Sequence, residues 1–277
     1  MPLHWYPGHM NRAARELESL MPSQDVVIEV LDARLPASSA NPLVTELRRK
    51  KPCIKVLTKS DLADPQVTAD WLAHFQRDTT VSAFASTTDK PAETKKRIRE
   101  LSHGMAEGRG KEATVRGLIV GVPNVGKSTL VNLLHHKNVA AVGDKPGVTK
   151  EQQRIVLESG MVLTDSPGIT WRKFEDQAGA MRLAFAGSLP DTAIEYVTLA
   201  LFGGAFLLER YPALLKARYK LAEPPTSPEA LLETIGRKRG KLKGGGAVDI
   251  EKAAEILVHE FRKGTIGRIS LERPPAA

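Results

Sequence analysis

The chain has 277 residues, 42% hydrophobic and 26% charged, which suits one large folded domain or two modest ones and excludes a low-complexity or fibrous protein. A single cysteine, Cys53, excludes an internal disulfide framework. No apolar run has the length of a membrane span, and the start, MPLHWYPGHM, has no signal-peptide core, so a cytoplasmic protein is expected. The net charge is +8, and it is uneven: residues 210–277 hold 14 Lys/Arg against 8 Asp/Glu, a net of +6. A basic module beside a neutral one suggests a polyanionic partner, the alternative being a solvated lysine-rich surface.

Strand and helix signals alternate along the first 190 residues. DVVIEVLDA (25–33) reads as a strand, NPLVTELRRK (41–50) as a helix capped by Asn41 with Pro42 in its first turn, and CIKVLT (53–58) as a second strand. Residues 65–77 read as a helix begun by Asp64 and Pro65, 79–85 as a strand, 93–107 as a helix, 115–122 as a strand and 127–136 as a helix. QRIVLES and MVLTDS form a strand pair turned at Gly160. Apolar strands alternating with helices imply a mostly parallel, doubly wound α/β sheet. Beyond residue 190 the β signal fades. Segments 191–211, 212–220, 227–240 and 248–264 read as helices, LAEPPTSP as a linker, and GRKRGKLKGGG (236–246) as a basic glycine-rich loop. The expected organisation is an α/β domain over 1–185 and a smaller all-α, basic domain over 190–277.

The most specific motif is Gly121-Val-Pro-Asn124-Val125-Gly126-Lys127-Ser128-Thr129, a phosphate-loop spacing set between a strand and a helix. Glycines let backbone N–H groups turn toward a phosphate, and the helix N-terminus adds partial positive charge. Lys127 is placed to reach the β- and γ-phosphates and Ser128 to ligate Mg²⁺. Asp165 and Gly168 in LTDSPG follow D-x-x-G spacing, with Asp165 holding Mg²⁺ through water and the Gly168 N–H facing the γ-phosphate. Thr149, in the polar loop 143–153, is the candidate switch hydroxyl for Mg²⁺.

A phosphate loop does not name the base. Thr58-Lys59-Ser60-Asp61 ends a strand, where open parallel sheets bind ligands. Asp61 could accept from guanine N1–H and N2–H₂, a pair adenine cannot supply. The stem of Lys59 could cover the phosphate loop or the base. Ala85-Ser86, ending the next strand, could bring backbone N–H groups to the base oxygen, with Ser82-Ala83 as the alternative. The base reader precedes the phosphate loop, the reverse of the usual order. A circularly permuted chain leaves such a pocket unchanged, and SHGMAEGRGKEAT (102–114) has the composition of the join.

WYPGHM (5–10), DARLPASSANP (32–42), TKSD (58–61), GVPNVGKSTLVN (121–132), KPGVT (145–149), DSPGI (165–169) and GRKRG (236–240) together resemble the circularly permuted ribosome-assembly GTPases of the YlqF/RbgA type. The resemblance runs nearly end to end. It implies GTP hydrolysis coupled to late maturation of the large ribosomal subunit, stimulated by that particle, and a C-terminal helical domain contacting ribosomal RNA. Two residues depart from the family pattern: Thr58 stands where Asn is usual, and Ser166 where Thr is usual. Thr58 lacks the carboxamide's paired donor and acceptor, so weaker base affinity is expected, with specificity kept by Asp61. Ile169 occupies the place of a water-orienting Gln and can neither donate nor accept. The resemblance points to His9 instead, whose other reading is a helix-start residue. Asn124 either stabilises its loop or, as the resemblance allows, helps hold K⁺. Asp32 and Arg34 have either a positioning role or a nucleotide contact. Arg237, Lys238, Arg239, Lys241 and Lys243 are expected to meet RNA phosphates by shape rather than by sequence. A monomer is expected. The competing readings are a P-loop phosphotransferase and an RNA-binding factor with a vestigial nucleotide site.

Overall fold

The computed structural model describes residues 8–106, 114–135, 153–157, 160–170, 176–193 and 195–276. Its elements, in chain order, are α1 (Gly8–Leu20), β1 (Val26–Asp32), α2 (Pro36–Ser39), α3 (Pro42–Arg48), β2 (Cys53–Thr58), α4 (Pro65–Phe75), β3 (Val81–Ala85), α5 (Pro91–Met105), β4 (Val115–Val120), α6 (Lys127–His135), β5 (Gln153–Leu157), β6 (Met161–Asp165), α7 (Gln177–Phe185), α8 (Tyr196–Arg210), α9 (Pro212–Tyr219), α10 (Pro228–Lys238) and α11 (Ile250–Arg262). Three short 3₁₀ turns lie between them, at Met21–Ser23, Asp191–Ala193 and Gly244–Gly246.

The six strands form one sheet in the order β3-β2-β1-β4-β6-β5. Every neighbouring pair is parallel except β5 with β6, which the Gly160 turn makes antiparallel. Strands β1 and β2 are buried along their whole length, as parallel strands covered on both faces must be. Side chains alternate between the faces. Val26, Ile28 and Val30 join Ile98 of α5 and Leu130, Val131 and Leu134 of α6. Val27, Cys53, Leu118 and Val120 join Ala13 and Leu17 of α1 and Val44 of α3. Glu29 and Lys55, charged residues in the middle of these apolar strands, stand opposite each other in register and form a buried ion pair. Burial and the nearby Glu29 carboxylate push the Cys53 thiol up to about 12, consistent with a small packing residue rather than a nucleophile.

Local signals set the helix starts. Asn41 accepts from Leu43 N–H and Asp64 from the N–H groups of Gln66 and Val67, with proline next in each case. Ser227 and Asp249 cap α10 and α11 in the same way.

Three sequence expectations need correction, and one helix has no clear sequence signal. The helix expected over 191–211 is a 3₁₀ turn followed by α8, and Pro212 then turns the chain through 108° into α9. Residues 102–105 continue α5 rather than joining two halves; 107–113 lie outside the described residues. Residues 236–238 are the last turn of α10, not loop. Helix α7 is not announced by the sequence, because its small residues (QAGAMRLAF) blur the apolar stripe.

The apolar core is continuous across the expected boundary near 185–190. Phe185, ending α7, stacks on Phe261 of α11 at 4.3 Å and lies under Gly203 of α8. A Cβ at Gly203 would overlap that ring. Gly203→Ala is therefore expected to destabilise the protein by about 1–3 kcal/mol through overpacking, read as a lower urea midpoint with unchanged m-value. After α11 the chain runs without helix back to the sheet. Leu271 N–H donates to Arg34 O and Ile269 N–H to Leu62 O, and the Glu272 carboxylate accepts from the N–H groups of Ala37 and Ser38. No single helix among the described residues is long and apolar enough to cross a membrane.

Candidate nucleotide site

Strand order reverses between β1 and β4: one half of the chain builds outward through β2 and β3, the other through β6 and β5. Open α/β sheets bind ligands at the carboxyl ends of the strands at such a point. Four of the motifs end there. The 121–129 loop follows β4, Asp32–Arg34 follows β1, Thr58–Asp61 follows β2, and Ser166–Gly168 follows β6.

The phosphate loop needs its glycines. A Cβ on Gly121 would come within 2.8 Å of Val30 O, and Gly126, at φ +98°, would bring one to 3.4 Å from Thr58 Oγ1. Lys127 and Ser128 open α6, followed by Thr129, so the loop meets a helix N-terminus. Lys127 Nζ lies 2.6 Å from Asp165 Oδ1, both buried. Burial pushes the Asp165 carboxyl above its usual range even with the Lys127 ammonium beside it. Asp165 Oδ2 is buried without a hydrogen-bond partner among the described residues. A carboxylate oxygen left in this state, near the start of a P-loop helix, fits a divalent cation better than a closed ion pair.

The segment after β6 is braced rather than loose. Ser166 Oγ donates to Ile119 O at 2.9 Å, Ile169 N–H to Gly121 O at 3.3 Å, and Asn41 Nδ2 to Ile169 O at 3.0 Å. Gly168 lies against Pro123, where a Cβ would sit 3.2 Å from the backbone. Asn41 thus has a second use beyond its cap. Ile169 is buried against α1 with Ala13 and Leu17, and Thr170 Oγ1 donates to Met10 Sδ at 3.0 Å. Helix α1, which carries His9 in its first turn, therefore packs directly on the chain leaving D-x-x-G. The His9 side chain and Thr149 lie outside the described residues.

Thr58 faces the phosphate loop. Its hydroxyl lies within hydrogen-bond distance of Leu31 O (2.9 Å) and of Val125 O. Lys59, in the left-handed region at φ +54°, donates to Asn124 O at 2.6 Å and to Asp32 Oδ2 at 2.9 Å. Asp32 also takes both Arg34 Nε (2.9 Å) and Nη2 (2.7 Å). Burial alone would raise the Asp32 carboxyl, but Arg34 and Lys59 outweigh it and hold the group well below the usual carboxylate range. Arg34 in turn lies 5.0 Å over the Phe261 ring. The pair left open by sequence is a brace: it fixes Lys59 and, through it, Asn124. Sequence reading missed this link because the partners come from three strands. Asn124 Nδ2 donates to Gly187 O at 2.8 Å, which is the loop-stabilising use.

Ser60 Oγ donates to Ser86 O at 3.1 Å, and Ser86 is buried against Thr94. This contact brings the TKSD turn beside the exposed Ala85, leaving Asp61 exposed above the carboxyl end of β2.

In the helical C-terminal part, Arg237, Lys238, Arg239, Lys241 and Lys243 are all exposed around the α10 C-terminus. They are not equally available. Arg239 pairs with Glu260 at 2.8 Å and lies 5.7 Å over Tyr219, and Lys238 donates to Lys220 O. Arg237 and Lys241 make no ion pair among the described residues. Gly236 serves packing: a Cβ there would overlap Val248.

A P-loop with an adjacent D-x-x-G carboxylate and a TKSD turn at one sheet switch point defines a GTPase domain. The family model described as 50S ribosome-binding GTPase matches residues 116–202, the phosphate half, with TKSD ahead of it as permutation requires. The chain is 40% identical to ribosome biogenesis GTPase A of Bacillus pumilus over 99% of both chains. It is 36% identical to that of Thermotoga maritima over 98% of this chain and 95% of the other. The GNP-bound crystal structure of YlqF from T. maritima superposes with a TM-score of 0.68 at 30% identity, over 96% of this chain and all of that one. A GDP-bound YlqF structure gives 0.70, over 94% of this chain and 99% of the other. The chain belongs to the ribosome biogenesis GTPase A family.

Proposed function

We propose that this GTPase acts late in assembly of the large ribosomal subunit and turns over GTP slowly until it meets that particle. The observation that carries the proposal is the convergence of Lys127, Asp165, Gly168, Thr58 and Asp61 at one switch point, joined to a basic helical end. Asn124, Val125, Gly126, Lys127, Ser128 and Thr129 cradle the phosphates with backbone N–H groups and the Lys127 charge. Lys127 trades its bond to Asp165 for the β/γ-phosphate oxygens. Ser128, Thr149 and Asp165, the last through water, would hold Mg²⁺, which supplies positive charge to the phosphate oxygens. The Gly168 N–H faces the γ-phosphate. Asp61 accepts from the guanine edge, the Lys59 stem covers the phosphate loop, and Ser60, Ala85 and Ser86 line the base. Thr58 contributes through Val125 O rather than through the base.

Ile169 is buried and apolar, so water must be oriented by another group, and the packing of α1 on Thr170 supports His9. Turnover of GTP, measured with and without large subunits, tests both parts. Stimulation in the wild type and its loss in His9→Ala by about 10²–10⁴-fold is expected. Stimulation that survives His9→Ala removes His9 from the mechanism. A potassium ion is not part of this proposal; the Asn124 Nδ2 bond to Gly187 O supports the loop-stabilising use.

For ribosomal RNA, support comes from the exposed cluster at the end of α10. Charge reversal at Arg237 and Lys241 is expected to weaken subunit binding and to flatten its dependence on salt by about one unit of slope per lost phosphate contact. Unchanged affinity and slope would take this surface out of the interface. The proposal includes a monomer working where subunits are assembled, the cytoplasm in a bacterium.

A further inference from the structure

The base-reading turn is not self-supporting. Lys59 sits in the left-handed region, which is strained for a residue with a Cβ. Within the turn, Leu62 N–H donates to Lys59 O at 3.0 Å. The other carbonyls flanking Asp61 are taken by the chain beyond α11, some 200 residues later. Arg268 Nη2 donates to Ser60 O and Arg268 Nε to Ala63 O, both at 2.9 Å. Ile269 N–H donates to Leu62 O at 2.9 Å, and Ser270 Oγ accepts from Asp64 N–H at 3.2 Å. Leu62 in turn rests on Gly264, at φ +71°, where a Cβ would meet its side chain at 2.6 Å. One planar guanidinium therefore spans the turn, one bond on each side of Asp61, and the Asp61 side chain itself is left exposed.

We propose that Arg268 is a positioning residue for guanine recognition: from the C-terminal tail it fixes residues 60–63 so that the Asp61 carboxylate meets the base edge. The inference rests on Asp61 as the base reader. Guanine offers Asp61 two donors and hypoxanthine, which lacks the 2-amino group, offers one. The ratio of GDP to IDP affinity thus reports the aim of the carboxylate, while general loosening of the phosphate site moves both affinities together.

The test uses the full chain with Arg268→Ala, Arg268→Lys and Asp61→Ala, measuring Kd for GDP and IDP. In Arg268→Ala, GDP affinity is expected to fall about tenfold, the scale of one well-made hydrogen bond. IDP affinity should fall less, so that the ratio moves toward one. Arg268→Lys keeps charge and stem but cannot span both carbonyls, and should lie between. On the Asp61→Ala background, Arg268→Ala should not change the ratio further. If either Arg268 variant leaves the ratio at the wild-type value while Asp61→Ala collapses it, the positioning role of Arg268 is wrong. If Asp61→Ala itself leaves the ratio unchanged, the base-reader assignment fails first and takes this inference with it. A fall in both affinities by one factor in the Arg268 variants also overturns the proposal, since it marks a purely structural role.

Discussion

Asp61→Asn is expected to lower GDP affinity by about 10²–10⁴-fold, the loss of two hydrogen bonds to a charged group, and to raise affinity for xanthosine diphosphate. The carboxylate only accepts, and guanine presents two donors to it. A carboxamide presents one acceptor and one donor, and that donor would face another donor. Xanthine replaces the 2-amino group by a carbonyl, which accepts from the carboxamide. Asp61 suits such an exchange because it is exposed and carries no structural bond among those that hold the turn. Competition binding against a fluorescent nucleotide reads both affinities. Retained GDP binding without gain for xanthosine diphosphate would dismiss Asp61 as the base reader.

Asp32→Ala should have the largest effect on stability, a loss of about 3–5 kcal/mol, because it strands a buried guanidinium. Arg34 is 1% exposed and Asp32 0%, and no other carboxylate is bonded to the Arg34 side chain among the described residues. The same change frees Lys59 from its bond to Asp32, so nucleotide affinity should fall together with the urea midpoint. Acid provides an independent reading. The folded Asp32 carboxyl lies below its unfolded value, so its contribution is complete above about pH 4 and is lost as pH falls through the lower, folded value. The gap in stability between wild type and Asp32→Ala is therefore expected to be constant from pH 7 to about 4.5 and to narrow below that. A gap that widens on acidification would contradict the brace.

Much of the fold was legible because its signals are local. Asn41-Pro42 and Asp64-Pro65 announce helix starts within four residues, and the apolar runs ending at Asp32, Thr58, Ala85 and Val120 mark parallel strands. The phosphate half of the site was legible for the same reason: Gly121 to Ser128 is one continuous stretch. What escaped sequence reading depends on contacts between distant segments. Asp32 gains its meaning from Lys59, and Asn41 its second bond from Ile169. Thr58 reads in sequence as a weakened base contact, while its hydroxyl lies against Leu31 O and Val125 O. Arg239 counts as a free cation in composition but is paired with Glu260 and lies over Tyr219. The tail from Gly264 onward has no helical period, so nothing in its own sequence announces that it returns to residues 60–64.

That returning tail bears on the order in which the molecule is made. Chains fold largely from the N-terminus as they are synthesised, and permutation puts the guanine half first. Strands β1, β2 and β3 can pair with one another before the phosphate loop has been translated, while the β1 edge waits for β4. The turn at Ser60–Ala63 gains its outer bonds only with residues 268–270, far along the chain. A nascent chain therefore exposes its base-reading turn early and supports it late, so that firm guanine recognition waits for a segment translated some 200 residues after the turn itself.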